Sequence, residues 1–332
     1  MSAESANGVL EDFRIEFSEY WQRLPNKGFF LALLTAWVGL FQFYGNSTLG
    51  YVNTHSLFYW MYDAFTAGGR SDAFEEETVG LVIPAVVLVV LWLRRRSLIA
   101  LPARTWWPGL FLVGFGALLH LIGFLIQQPR LSVIGLFTGV YGLTGMAWGP
   151  TWLQATYFPF LLFGFCIPLG SQAELITFPM RLLVTRLVEL ICHFVLSIDI
   201  IRQGNNLIDP SGHYSYEVAA ACSGIRSLLA TLAMAVTIGF YSFDKWWKRL
   251  LMIASAFPLA IAGNLLRLLA IVIAAEFGGQ GAGEYVHDGG PMGILSLLPY
   301  VPVFFGLFWL EQKLRKRPTM PEALPPLEAK TA

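Results

Sequence analysis

Long apolar stretches recur along this chain, and they constrain its fold more than any other feature. A helix needs roughly 20 apolar residues to span about 30 Å of hydrocarbon. Windows near that length occur at 28–44, 79–93, 108–126, 131–149, 152–169, 221–241, 250–277 and 293–310. Lipid offers no partner to a backbone N–H or C=O, so a segment of this kind satisfies its own groups as a helix. The expected fold is therefore all-α, a polytopic membrane helical bundle of about eight transmembrane helices in one domain over 1–332, with tails 1–27 and 311–332. The window 79–93 is short and suits a tilted or recessed helix. Composition agrees, since 55% of the 332 residues are hydrophobic and 13% charged, against about 25% charge in soluble domains.

Charge distribution sets orientation and excludes partners. The 22 Lys and Arg balance 22 Asp and Glu, so the chain lacks the basic footprint that nucleic acid requires, and the lipid bilayer is its expected partner. Cations cluster in alternate connections: Arg14, Arg23 and Lys27; Arg94, Arg95, Arg96 and Arg104; Lys245, Lys248 and Arg249; Lys313, Arg315, Lys316 and Arg317. With alternating spans all four clusters fall on one face, which the positive-inside rule makes cytoplasmic. Both termini are then expected in the cytoplasm and the protein in the cell's inner membrane. The start, MSAESANGVLEDFRIEFSEYWQRLPNKG, is polar and amphipathic without the apolar core of a signal peptide, and is expected to be retained.

The stretch 172–220 lies outside by this count yet holds an apolar segment. There Arg181, Thr185, Glu189, His193 and Ser197 recur at every fourth position, which stripes one face of a helix. Such a helix around 181–198 suits the outer interface or the wall of a wet cavity. Beyond it, IIRQGNNLIDPSGHYSYEV reads as two short strands around a turn at Asp209 to Gly212, a small extracytoplasmic β-hairpin feeding span six.

Reactive groups gather on that outer side. Cys222 stands where span six begins, and the unpaired N–H groups and dipole of a helix N-terminus favour a thiolate. Arg226 follows at i+4 and adds a cation on the same face. A small buried hydrophobe beside an interfacial Arg is the plainer reading of that pair. Cys166 and Cys192 lack polar company and read as packing residues, and His120 is expected to face the bundle. Span seven carries Asn264 and Arg267 at i and i+3; an Arg within an apolar helix costs about 2.5–3.5 kcal/mol on insertion scales, so it faces a partner, water or the interface. His287 follows in GGQGAGEYVHDGGPMG, read as a flexible outer loop that brings the imidazole over the bundle. Asp288 is its neighbour in sequence, a spacing at which side chains seldom meet, and it is not taken as the orienting carboxylate. Thiol, guanidinium and imidazole on one membrane face are the requirements of nucleophilic acyl transfer. The expectation is that Cys222, Arg267 and His287 converge on one outward-open cavity bordered by Arg226 and Glu217, the latter either pairing with an Arg or ending its strand.

These residues also resemble a family, the exosortase/archaeosortase enzymes. The likeness lies in Glu217-Val218 leading to Ala221-Cys222-Ser223-Gly224-Ile225-Arg226, then Asn264-Leu-Leu-Arg267, then His287-Asp-Gly-Gly290, over the C-terminal third of the chain. His at the third position is more similar to the bacterial exosortases. What the resemblance implies is a multi-pass cysteine protease or transpeptidase with Cys222, Arg267 and His287 as catalytic residues and Glu217, Ser223, Arg226 and Asn264 in support. Its partners would be exported proteins bearing a C-terminal membrane helix, a sorting motif and a basic tail, processed at the extracytoplasmic face.

Two other readings compete. A membrane acyltransferase using Cys222 shares the chemistry but needs a groove for an acyl chain. A transporter is less well supported, since no internal repeat is visible and acidic residues occur only at span ends. No pair among His55, His120, His193, His213 and His287 has zinc-site spacing, and no phosphate-binding Gly loop followed by Lys-Ser or Lys-Thr occurs. No cofactor is therefore expected.

Overall fold

The computed structural model describes residues 3–48, 52–66, 79–169, 172, 174–204, 206–217 and 225–315. Its helices are α1 (Ala3–Arg23), α2 (Lys27–Tyr44), α3 (Leu57–Thr66), α4 (Val79–Leu93), α5 (Arg95–Ile99), α6 (Gly109–Leu125), α7 (Pro129–Trp148), α8 (Pro150–Leu161), α9 (Glu174–Ile191), α10 (Ile225–Ser242), α11 (Trp246–His287) and α12 (Tyr300–Leu314). The strands are β1 (Ile201–Gln203), β2 (Asn206–Ile208) and β3 (Ser215–Glu217). This is the helical membrane bundle with a small sheet that the apolar windows lead one to expect. Among the described residues Lys27–Tyr44, Pro129–Trp148, Trp246–His287 and Ile294–Leu314 are long and apolar enough to cross a bilayer, and Gly80–Leu93, Gly109–Leu125 and Ser227–Ser242 are shorter apolar helices. Large side chains point outward from them, with Phe111 82%, Phe305 73% and Leu125 71% exposed. Water would penalise such a surface and lipid does not. Contacts divide the chain into two compact units, 1–230 and 231–332, with the boundary inside α10.

In the first unit α6 and α7 lie backbone to backbone. A Cβ added to Gly116 would stand 2.6 Å from the Gly135 carbonyl oxygen, and one added to Gly142 would stand 2.8 Å from the Val113 nitrogen. Without a hydrophobic drive between helices in lipid, small residues of this kind let dispersion contacts hold the pair. His120, buried, bonds through Nδ1 to the Ser132 hydroxyl at 3.0 Å across the same seam. Trp37 of α2 donates to the Leu136 carbonyl at 3.0 Å and joins Phe41, Val133 and Leu143 in the core. Cys166 is fully buried and its Sγ meets the Gly80 carbonyl at 3.4 Å; Cys192 is fully buried too.

One end of this unit collects the cations. Arg95 Nε donates to Glu16 at 3.1 Å and its guanidinium lies over the Trp92 ring, tying α1 to the α4–α5 corner. Asn26 donates to the Ala147 carbonyl at 2.9 Å and the Arg104 amide to that of Trp148 at 3.3 Å. The connections holding Lys27, Arg94 to Arg96 and Arg104 therefore meet where α2 begins and α7 ends. Arg130, at the other end of α7, donates to the Pro168 and Leu169 carbonyls at 2.6 and 3.1 Å.

Two segments hold elements that the sequence patterns do not announce. The connection after α2 contains α3, whose Leu57 and Phe65 are buried, so apolar residues too few for a span still form a packed helix. The region after α9 has a third strand: β1 pairs antiparallel with β2 and β2 with β3, Leu207 opposing both Arg202 and Tyr216. The stretch before Asp209 reads as one strand, and Gly204, at φ 63°, ends β1 within it. Around the turn, the Asp209 carboxylate accepts from the Ser211 hydroxyl, the Ser211 amide at 3.2 Å and the His213 amide at 3.0 Å.

Helix α9 turns its polar stripe inward. Arg181 and Thr185 are buried, while Leu175, Phe178, Leu183 and Leu190 face out. The stripe does not continue, and His193 and Ser197 are exposed. A π-turn over Cys192–Leu196 follows α9, and the wider i→i+5 repeat advances the helix phase and rotates later side chains away.

In the second unit α11 and α12 pack at small residues. A Cβ on Gly263 would lie 2.2 Å from the Pro299 carbonyl oxygen, and Met252, Ala256, Val303 and Leu307 share one buried core. Lys248 donates to the Leu314 carbonyl, so the cations that open α11 meet those that close α12.

Candidate functional site

Helix α11 supplies the two candidate groups with described side chains beyond Asn264. Asn264 is buried, and Arg267 stands one turn later, half-buried. His287 is the last residue of the helix, and the Arg267 Nη2 donates to its carbonyl oxygen at 3.1 Å. Residues 20 apart in a straight helix would be about 30 Å apart. The helix must therefore reverse between them, and it does so at Gly279, where φ 74° and ψ −177° break the helical run.

The glycine-rich segment expected to be a flexible loop is thus helical up to His287, a correction with a physical basis. Glycine lowers helix propensity by about 1 kcal/mol per residue, but the returning limb is held at its end. The Gly290 amide bonds to the Tyr285 carbonyl at 2.9 Å and the Gly289 amide to that of Val286 at 3.2 Å, both glycines having positive φ. This is a Schellman closure. It leaves the His287 carbonyl as an orphan acceptor, which the Arg267 guanidinium occupies.

The imidazole is oriented from the other side. His287 Nδ1 lies 3.2 Å from Asp288 Oδ1, against the expectation that these neighbours do not meet. The helix ends at His287, and no further turn follows to cover the pair. A carboxylate only accepts, so the pairing puts the proton on Nδ1 and leaves Nε2 as the basic nitrogen. His287 is about one-third exposed and Asp288 mostly so. The Arg267 Nε is buried with no hydrogen-bond partner among the described residues.

Of the other expected site residues, Cys222 and Ser223 lie outside the described residues. Glu217 ends β3, its backbone paired opposite Asn206, and Arg226 stands in the first turn of α10; for both the description stops at the main chain. Sequence reasoning brought Arg267 and His287 to the same side but missed what joins them, namely Gly279, the His287 carbonyl and Asp288. The signal present was the density of glycines, whose positive-φ positions cannot be told from the rest by composition. Among the described residues no group of three or more His, Cys, Asp or Glu is placed to hold a metal ion. A half-open groove in the first unit is lined, among the described residues, by Phe137, Tyr141, Tyr157, Phe160 and Phe163.

Compared with known families, residues 72–317 match the model described as transmembrane exosortase. The match runs from before α4 to the end of α12 and includes all seven candidate site positions. Neither a curated protein nor a solved structure matches the chain.

Proposed function

This chain belongs to the transmembrane exosortase family, and from that membership we propose that it is a cysteine-dependent peptidase or transpeptidase that processes the C-terminal sorting signal of exported proteins at the extracytoplasmic membrane face. What carries the reading is the ordered set Cys222, Arg267 and His287 within the matched region, two of whose members are joined by the Arg267 to His287 bond.

The chemistry runs as follows. The Cys222 thiolate attacks a backbone carbonyl beside the substrate's C-terminal membrane helix. A C–S bond forms, the C–N bond breaks, and His287 Nε2, having taken the proton of the Cys222 thiol, gives it to the leaving amine. An amine or water then resolves the thioester. Arg267, with Arg226, holds the thiolate and then the oxyanion; the buried Arg267 Nε–H supports this, since a planar guanidinium offers that edge to an oxygen. A tethered substrate slides laterally to the site, with the entropy of encounter largely removed.

Orientation is supported by the meeting of cationic connections at one end of each unit, which the positive-inside rule assigns to the cytoplasm; on the eight-span reading of the sequence, 172–220 and His287 then belong outside. The acyltransferase alternative needs an apolar groove beside the nucleophile, and it predicts transfer of a lipid acyl group where the sorting reading predicts a shortened protein.

The decisive experiment is mass spectrometry of the C-terminus of a co-expressed exported reporter ending in a membrane helix and a basic tail. Wild type yields the shortened or transferred C-terminus, and Cys222→Ala leaves the precursor intact and inserted. Processing at the wild-type rate by Cys222→Ala removes the nucleophile and the function with it.

A further inference from the structure

We propose that Gly279 is a positioning residue for His287, reversing α11 so that Arg267 latches the end of the returning limb. The consequence for turnover rests on the exosortase-type reading above, whereas the geometry does not.

Three observations carry it. First, Gly279 adopts φ 74°, ψ −177°, a region essentially closed to residues with a Cβ. Second, nothing lies within 4 Å of a Cβ built there, so the requirement for glycine is one of backbone conformation and not of space. Its neighbours differ: a Cβ on Gly278 would stand 2.5 Å from that of Ala282, while Gly281 has open space and no positive φ. Third, the limb after Gly279 ends within reach of the limb before it, where Arg267 Nη2 donates to the His287 carbonyl at 3.1 Å. That carbonyl belongs to the negative end of the returning helix, which a guanidinium stabilises by charge as well as by hydrogen bond. With the main chain of His287 held there and Nδ1 held by Asp288, the direction of Nε2 is set by the reversal. Without it the imidazole would be carried on a straight helix some 30 Å from Arg267.

The test uses the full chain in lipid nanodiscs, with nitroxide-bearing residues introduced at exposed positions 266 and 285 and the spin–spin distance measured alongside reporter processing. A straight helix puts these positions about 28 Å apart; packed limbs about 8–10 Å between axes bring them below about 20 Å. Wild type is expected to show the short distance. Gly279→Ala is expected to lengthen or broaden it and to lower kcat about 10- to 100-fold with KM within about twofold, as misplacement of a reacting group does. Gly281→Ala is expected to leave distance and rate unchanged. Arg267→Met is expected to broaden the distance distribution without abolishing the short population.

A long distance in wild type, or equal effects of Gly279→Ala and Gly281→Ala, overturns the proposal. So does a longer distance in Gly279→Ala with wild-type turnover, and that outcome leaves the exosortase-type reading standing. If wild type and Cys222→Ala are both inactive on the reporter, that reading fails while the distances still decide the reversal.

Discussion

The α6–α7 seam offers a sharp quantitative test, because two glycines on one helix meet opposite surroundings. At Gly116 an added Cβ would stand 2.6 Å from the Gly135 oxygen and 2.9 Å from the Gly139 nitrogen, both backbone atoms that cannot rotate away. At Gly114 nothing lies within 4 Å. A carbon against a carbonyl oxygen needs about 3.3 Å, so Gly116→Ala forces the helices apart by about 0.7 Å. A gap of that size forfeits a quarter to a half of each dispersion contact it touches, and overpacking of this kind costs about 1–3 kcal/mol. The better helix propensity of Ala returns about 1 kcal/mol, leaving a net loss of about 0–2 kcal/mol. Gly114→Ala carries only the favourable term and is expected to be neutral or stabilising by up to about 1 kcal/mol. Thermal denaturation of the two variants in the same lipid, followed by loss of the monodisperse species, reads the difference directly. Equal stability of the two variants would refute the argument that backbone proximity holds this pair.

Three further outcomes follow from geometry described above. A membrane-impermeant thiol label applied from outside is expected to reach cysteines introduced at positions 213 and 285 but not at 246; the reverse pattern inverts the topology. Arg267→Lys is expected to impair reporter processing nearly as much as Arg267→Ala, since a point charge cannot serve the His287 carbonyl and an oxyanion together as a planar fork does; near-wild-type activity of Arg267→Lys removes the fork. The Asp209 carboxyl is held down to about 2, from 3.8, chiefly by the Ser211 hydroxyl and secondarily by the amides at 211 and 213. A depressed folded-state value stabilises the turn above the unfolded value and loses that contribution as pH falls from near 3.8 through about 2. Protection of the turn amides, taken relative to intrinsic exchange at each pH, is therefore expected to fall across that window in wild type and to stay level there in Asp209→Asn.

The apolar helices were legible because lipid leaves a hydrophobic stretch few choices: α4 begins and ends at Val79 and Leu93, where its window does. What escaped was structure decided by partners distant in sequence. The limb 280–287 is helical because Arg267 and a double-glycine closure hold its end, and composition alone reads the same residues as a loop. In α9 the four-residue spacing showed a stripe but not which way it faces, since a polar face turned inward has the same period as one turned out. At the site, the pairing of Arg267 with His287 appears in the sequence only as two residues on the same side of the membrane. The Asp288 contact depends on where the helix stops, the least legible feature of any helix.

The fully buried state of Cys166 and Cys192 has a practical consequence for chemistry on the intact protein. A sealed thiol does not admit a reagent, so two of the three cysteines in the chain are silent until the fold is lost. Alkylation of the native protein with a light reagent, followed by denaturation and a heavy one, sorts the cysteines by isotope. Any light mark then belongs to position 222. If position 222 takes that mark, the unmutated chain is its own single-site reporter, and the occupancy that the proposed function requires can be titrated without a cysteine-free background.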